Sequence, residues 1–426
     1  MFFKEIIAIK YNSFIFRQGL KFGFFTPLKR LTTIVLLTLF IQSPTHAQIT
    51  TVESEHASNF DSSIANVTFI INSYKGFAFW DNQADYAKAV AEALDLNLTL
   101  VYIPEQYSDR FGVVRFFSDY LYNLSEKPDL IISALWLGAE SRLLDILAAE
   151  NIPLISINTA LTEYDFSFLG KPREKYPLWL AHIATDDQQA GYELAEYIVN
   201  KTAQKKSCTQ TCEINLFAFA GTAYTSASVY RERGLEQSLQ QHANVSLFNV
   251  VNANWDRELT RSMMKTVLRR HDDIDAYWVL GDIMAMGVLD GLKEHGVKQM
   301  PIIGSIDWTP DVITQIEQGN VTLSLGGHFM EAGWALTMYS DYLRVGDFVE
   351  QFGTVFPSTL AKLDSDNVKL IGGFLRNPQW NKQVIKSNTR YVNSSLQAYM
   401  MEPEKLIRQH IKQNQLTEKE LLENVP

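Results

Sequence analysis

The chain is 426 residues long, enough for two domains that each bury a core of their own. Apolar residues make up 46% and charged residues 20%, the ordinary balance of a soluble globular protein. A net charge of −10 argues against a nucleic-acid partner, because holding phosphates needs a basic surface.

At the amino terminus, Lys21, Lys29 and Arg30 precede an apolar run from Leu31 to Ile41, followed by Thr45-His46-Ala47. A basic start, a short apolar stretch and small residues describe a secretory signal over 1–47, cut after Ala47. The competing role is an uncleaved anchor, although the run is short for a bilayer span. No later segment is apolar for long enough to cross a membrane. The mature protein is therefore expected to be soluble and periplasmic.

Beyond a polar segment, strand-like apolar runs occur at Val67–Ile71, Leu98–Ile103, Leu130–Ser133, Leu154–Ile157 and Ile214–Phe219. Further runs occur at Val245–Val251, Ala276–Leu280, Ile302–Gly304 and Val321–Leu325. Helical spacing separates them, as in Tyr86, Val90, Ala93 and Leu94 on one face. Strands alternating with helices imply parallel sheets covered on both faces, and this many strands suit two sheets better than one. Near His182–Asp186 a new helix opens in HIATDDQQAGYELAEYI, with Thr185 or Asp186 as its cap. Cys208 and Cys212, in KKSCTQTC, fit a disulfide if the loop makes one helical turn; a metal site is the rival role, with no His or further Cys nearby. After Gly372 the chain is more polar, and an amphipathic helix around Pro403–Gln413 is expected to pack on the outside.

Three stretches follow predicted strands: TSASVYRERG at 225–234, NANWDR at 252–257 and DWTPD at 307–311. In an open α/β sheet such turns gather at the carboxyl edge, where ligands bind. Together with HIATDD and LGDIMAMGVLDGL, they resemble segments of the type I periplasmic binding proteins, the ribose- and galactose-binding family, over Val67 to Leu370. The resemblance implies two Rossmann-like α/β lobes with parallel sheets joined by a multi-strand hinge, crossing near Ala184, His328 and Gly353. The lobes would comprise 66–184 with 328–353, and 185–327 with 354–372, leaving 373–426 as a carboxyl-terminal extension.

The same resemblance implies a site. Phe79 and Trp80 stand where the family places two aromatics after its first strand, Arg231 where it places a bidentate arginine, and Trp255 where it places a third aromatic. Asp307 matches the aspartate that accepts sugar hydroxyls; an arginine partner or a cap for the DWTPD helix competes with that role. Asp282 and Asn158 each fit either a ligand contact or a local cap, and Trp136 either a cavity wall or the core. Other positions depart from the ribose pattern: Asn158-Thr159 replaces an Asp-Arg pair, Gly281 an asparagine, and Gly327 or His328 a glutamine. The cleft looks retained for a ligand other than ribose.

No HExxH, GxSxG, phosphate loop or strand-linked GxGxxG occurs, and no carboxylates pair as a glycosidase couple, so no catalysis, cofactor or metal is expected. The expected function is capture of a sugar-like ligand by a monomer and its delivery to an ABC-type permease of the inner membrane. The alternative is a LuxP-like receptor that reports to a membrane sensor kinase. Arg231→Ala is expected to abolish stabilisation by ligand while leaving the empty protein nearly as stable.

Overall fold

The computed structural model describes residues 51–52, 65–208 and 212–423; the signal expected at 1–47 lies outside them. The chain begins β1 (Thr51–Val52), β2 (Asn66–Ile71), α1 (Ala78–Ala93), β3 (Asn97–Tyr102), α2 (Arg110–Tyr122) and β4 (Leu130–Ala134). It continues α3 (Glu140–Ala149), β5 (Leu154–Ile157), α4 (Glu163–Leu169) and β6 (Trp179–Thr185). A second run follows: α5 (Asp187–Lys205), β7 (Ile214–Ala220), α6 (Ser226–Leu239), β8 (Val245–Asn252), α7 (Arg257–Arg270) and β9 (Ala276–Val279). Then come α8 (Asp282–Glu294), β10 (Ile302–Asp307), α9 (Pro310–Glu317) and β11 (Leu323–Gly326).

These strands form two sheets, ordered β1-β3-β2-β4-β5-β6 and β11-β10-β9-β7-β8, each extended by one later strand. After β11 the chain returns to the first sheet through α10 (Glu331–Arg344), α11 (Val349–Phe352) and β12 (Val355–Ser358). It crosses once more to β13 (Ala361–Asp364), which pairs antiparallel with β11. All other pairings are parallel except the short β1 with β3. Parallel strands need cover on both faces, and β2 shows it: Phe69 and Ile71 enter one apolar cluster while Ile70 enters another. Each such side chain contributes about 1.5–3 kcal/mol on burial.

Three features differ from the sequence expectations. Strand β6 was not foreseen, because His182 interrupts its apolar run; inside, His182 is buried with Nδ1 at 2.8 Å from the Ser156 hydroxyl, which also accepts Trp179 Nε1 at 2.7 Å. Burial pushes His182 down to about 4, so it sits neutral in the sheet. The last crossing falls between Ser358 and Ala361 rather than near Gly353, because Val355–Ser358 pairs with His182–Thr185 at the sheet edge, where Pro357 is tolerated. The 373–426 segment, expected on the outside, has exposed residues along its length but also buries one face against the rest of the chain.

That segment holds α12 (Gly373–Arg376), α13 (Lys382–Ser387), α14 (Pro403–Gln413) and α15 (Glu418–Glu423). Trp380 packs edge-on against Tyr86 of α1 at 4.6 Å and Phe374 at 5.1 Å. Asp341 of α10 accepts the backbone N–H of Arg390 at 2.8 Å and the Tyr399 hydroxyl at 3.0 Å. Pro403 lies against Gly327, where a side chain would overlap its ring. Cys208 and Cys212 form a disulfide. Among the described residues, no helix is long and apolar enough to cross a membrane.

Candidate functional site

The carboxyl edges of the two sheets face one another across a cavity of about 520 Å³. Its walls come from the turns after β2, β4 and β5 on one side and after β7, β8 and β10 on the other, with His328 at the hinge. Phe79, Trp80, Asn158, Arg231, Trp255 and Asp307 all line it. Asp282 does not.

On the first wall, Asp81 accepts the N–H of Gly76 at 2.9 Å and the Tyr102 hydroxyl at 2.8 Å, which fixes the turn that starts α1. Gly76 has φ +103°, a conformation that glycine adopts without strain. The turn sets Phe79 beside Trp80, ring centroids 5.2 Å apart, and 4.6 Å from the His328 ring. Phe79 is thereby buried and Trp80 half-buried. Asn158 follows β5 at φ 54°, a left-handed turn that asparagine tolerates.

On the second wall the glycine of RERG explains the arginine. Cβ atoms at Gly191 in α5 and Gly234 in α6 would each strike the other helix's backbone, so only glycines let these helices touch. Their approach places Arg231 Nε 2.8 Å from Asp187 Oδ1, while Nη1 donates to the Leu280 carbonyl at 3.0 Å. Both partners of this ion pair are buried, at 4% and 5% exposure. Removing one partner strands a buried charge at a cost of about 3–5 kcal/mol. The buried ion pair argues against the expectation that Arg231→Ala leaves the empty protein nearly unchanged. Asp186 caps α5 by accepting Gln189 N–H at 2.9 Å, which frees Asp187 for the arginine.

Trp255 lies in a slot made by two glycines: side chains at Gly221 or Gly281 would run into its ring. Asn254 and Trp255 are left-handed at φ 53° and 60°, and Asp307 and Trp308 have φ 135° and 64°. Such conformations cost about 1–3 kcal/mol each and gather at functional sites.

Asp307 ends β10 with its Oδ1 3.5 Å from His328 Nε2. Burial pushes its carboxyl well up, reinforced by Asp282 and opposed by Arg231. Burial also holds His328 well below its usual range, with Arg231 adding to the effect, so the imidazole is neutral. Asp307 does not cap the following helix; that helix starts after Thr309. Asp282 instead accepts Thr309 N–H at 2.7 Å and the hydroxyls of Ser305 and Ser324 at 2.5 and 2.9 Å. It is fully buried, and burial pushes it up to about 6 against those hydrogen bonds. Its role is to hold the DWTP turn rather than to touch a ligand. Ser305 and Thr309, polar positions on either side of Asp307, were the overlooked signal.

The lobes also touch directly. Ala160 N–H donates to Ser226 Oγ at 3.1 Å, and the Tyr230 hydroxyl to Asp165 at 3.2 Å. Trp136 and Tyr224, from opposite lobes, lie near-parallel with centroids 6.4 Å apart. Trp136 therefore lines the cavity wall while also packing against the first-lobe core. Tyr224 and Ser226 were not singled out from sequence, although both lie in or beside the TSASVYRERG stretch. Among the described residues, Trp136 Nε1 and His328 Nδ1 are buried without a hydrogen-bond partner.

A model of the periplasmic binding protein domain matches residues 67–347. The chain belongs to the periplasmic binding protein family. It is 26% identical over 178 residues to the ribose import binding protein of Escherichia coli (strain K12), covering 41% of this chain and 51% of that one. It is 25% identical over 206 residues to a xylitol-binding protein of Mycolicibacterium smegmatis, covering 47% and 52%. The chain thus spans about half the length of the curated relatives it matches. A solved periplasmic sugar-binding protein from Pseudomonas fluorescens shares the fold, with a TM-score of 0.69 at 22% identity over 81% of this chain and all of that one. The relatives named here are binding proteins and not enzymes.

Proposed function

We propose that this chain captures a small polyhydroxylated molecule, a sugar or sugar alcohol, between its lobes in the periplasm and delivers it to an ABC-type permease. The carrying observation is Asp307, a buried carboxyl group on the cavity wall that accepts the backbone N–H of Asp282 and lies 3.5 Å from a neutral histidine. Hydroxyl donors on a sugar ring favour its ionised form on binding, each charge-assisted bond contributing about 1.5–3 kcal/mol. Phe79, Trp80 and Trp255 offer flat apolar faces to the C–H sides of such a ring. Arg231, with Nε and Nη1 engaged, brings its remaining guanidinium N–H groups to the wall, and Asn158 its side-chain amide.

Relatives named for ribose import and for xylitol support both the ligand class and delivery over reporting to a kinase. The departures at Asn158-Thr159, Gly281 and Gly327-His328 favour a ligand other than ribose. Capture works through closure: a ligand that touches both walls binds the closed form better and shifts the population toward it. Periplasmic location rests on the basic and apolar start of the sequence.

Thermal-shift measurement of the mature chain against D-ribose, D-allose, xylitol and myo-inositol tests the reading. Binding the native state alone at a hundredfold excess over Kd adds about 2.7 kcal/mol of stability. A panel that leaves the melting point unmoved, extended to hexoses and pentitols, contradicts it.

A further inference from the structure

Glu331 opens α10 and is fully buried. Its Oε2 accepts the backbone N–H of Asn158 at 2.7 Å. Its Oε1 accepts the Ser358 hydroxyl at 2.5 Å and the Thr185 hydroxyl at 3.4 Å, and those two hydroxyls meet each other at 2.9 Å. Thr185 is the last residue of β6 and Ser358 the last of β12, the two strands from which the chain leaves the first lobe. Glu331 itself follows the returning connection, just beyond Gly327 at φ +110°. One carboxyl group therefore meets all three crossings between the lobes. It also grips Asn158, which lines the cavity.

The electrostatic surroundings reach toward the opposite wall. The charged neighbour of Glu331 is Asp187, two residues beyond Thr185, and Asp187 holds Arg231. His328, three residues earlier, is neutral by burial. A hinge that needed only packing would be better served by an apolar residue, since a buried carboxyl costs free energy unless several donors meet it.

We propose that Glu331 is a positioning residue that couples ligand contact at Asn158 to the setting of the three hinge connections, so that closure of the lobes depends on it. The proposal rests on the capture reading above. Movement of the Asn158 turn displaces the N–H held by Oε2, and the carboxyl transmits that displacement to Ser358 and Thr185 through Oε1. The group has two working forms. As a carboxylate it accepts from Asn158 N–H and from the Ser358 hydroxyl, which in turn accepts from Thr185; as a carboxylic acid it donates to a hydroxyl oxygen while still accepting from Asn158. Burial pushes the carboxyl up to about 8, so the acid form prevails at pH 7 and the carboxylate at pH 9.

Small-angle X-ray scattering of the full mature chain tests this without needing the natural ligand. Wild type, Glu331→Gln and Glu331→Ala are compared at pH 7 and pH 9, empty and with D-ribose, D-allose, xylitol or myo-inositol. The carboxamide imitates the acid form, so Glu331→Gln is expected to match wild type at pH 7 and to lose the change in radius of gyration that wild type shows by pH 9. Glu331→Ala is expected to be expanded at both pH values while unfolding cooperatively, and to bind any panel sugar at least tenfold more weakly. Scattering from empty Glu331→Ala that superimposes on wild type at both pH values overturns the proposal. If Glu331→Ala does not fold, Glu331→Gln decides: a retained pH response, or a wild type with none, overturns it. A panel that fails to bind wild type counts against capture, while the empty-state scattering still judges Glu331.

Discussion

The two walls of the cavity are built on different principles. The first-lobe wall is aromatic and shaped: Phe79, Trp80 and Trp136 present rings, with Trp80 and Trp136 only half-buried. The second-lobe wall is a fixed polar network in which Asp187 holds Arg231 and Asp282 holds the turn carrying Asp307. One wall offers aromatic rings to the cavity. The other is set before any ligand arrives, which lowers the ordering cost of binding. Hydroxyl geometry should thus be judged by the second lobe and ring size by the first.

The largest expected effect breaks the second wall outright. Arg231→Ala should lower the urea-unfolding free energy of the empty protein by about 3–5 kcal/mol, since Asp187 is left buried and unpaired. A loss below about 1 kcal/mol would mean that the network is not fixed in the empty state. Next comes Asp307→Asn, which keeps shape and removes charge. Ligand affinity should fall about 10- to 150-fold, equivalent to 1.5–3 kcal/mol, with empty-state stability undiminished because Asp307 is costly to ionise there. On the first wall, Trp80→Leu should cost about 0.5–1.5 kcal/mol of affinity, measured by calorimetry, and leave the preference among stereoisomers unchanged.

A pH comparison separates the lobes. Asp282 is raised in the folded state to about 6, so the stability it contributes is present below pH 4 and lost as pH rises through 6. His182 is depressed to about 4, so its contribution is present above pH 6.5 and lost as pH falls toward 4. The two contributions oppose each other between pH 4 and 6, so Asp282→Asn should leave urea midpoints rising with pH there and His182→Gln should leave them falling. The same slopes in both variants would place the titrating groups elsewhere.

How much of this was legible beforehand follows from what each residue must satisfy. Apolar strands and the glycine-marked RERG helix were readable because burial and helix contact act on local sequence. Strand β6 was hidden by His182, whose polarity is cancelled by Ser156, a partner on a neighbouring strand. Asp282 and Asp307 look alike in sequence, each at the junction of a strand and a helix. They differ through Ser305, Thr309 and Ser324, which are brought to Asp282 by the fold. The grip of the carboxyl-terminal segment on α1, α10 and Gly327 was likewise unreadable, because its partners lie up to hundreds of residues away in the chain.

Isothermal titration of wild type and Asp307→Asn with the polyol panel tests the central claim most directly. Saturable one-to-one binding of at least one polyol to wild type is expected, weakened at least tenfold in the variant. Equal affinity in both proteins, or no polyol bound by wild type, would contradict it.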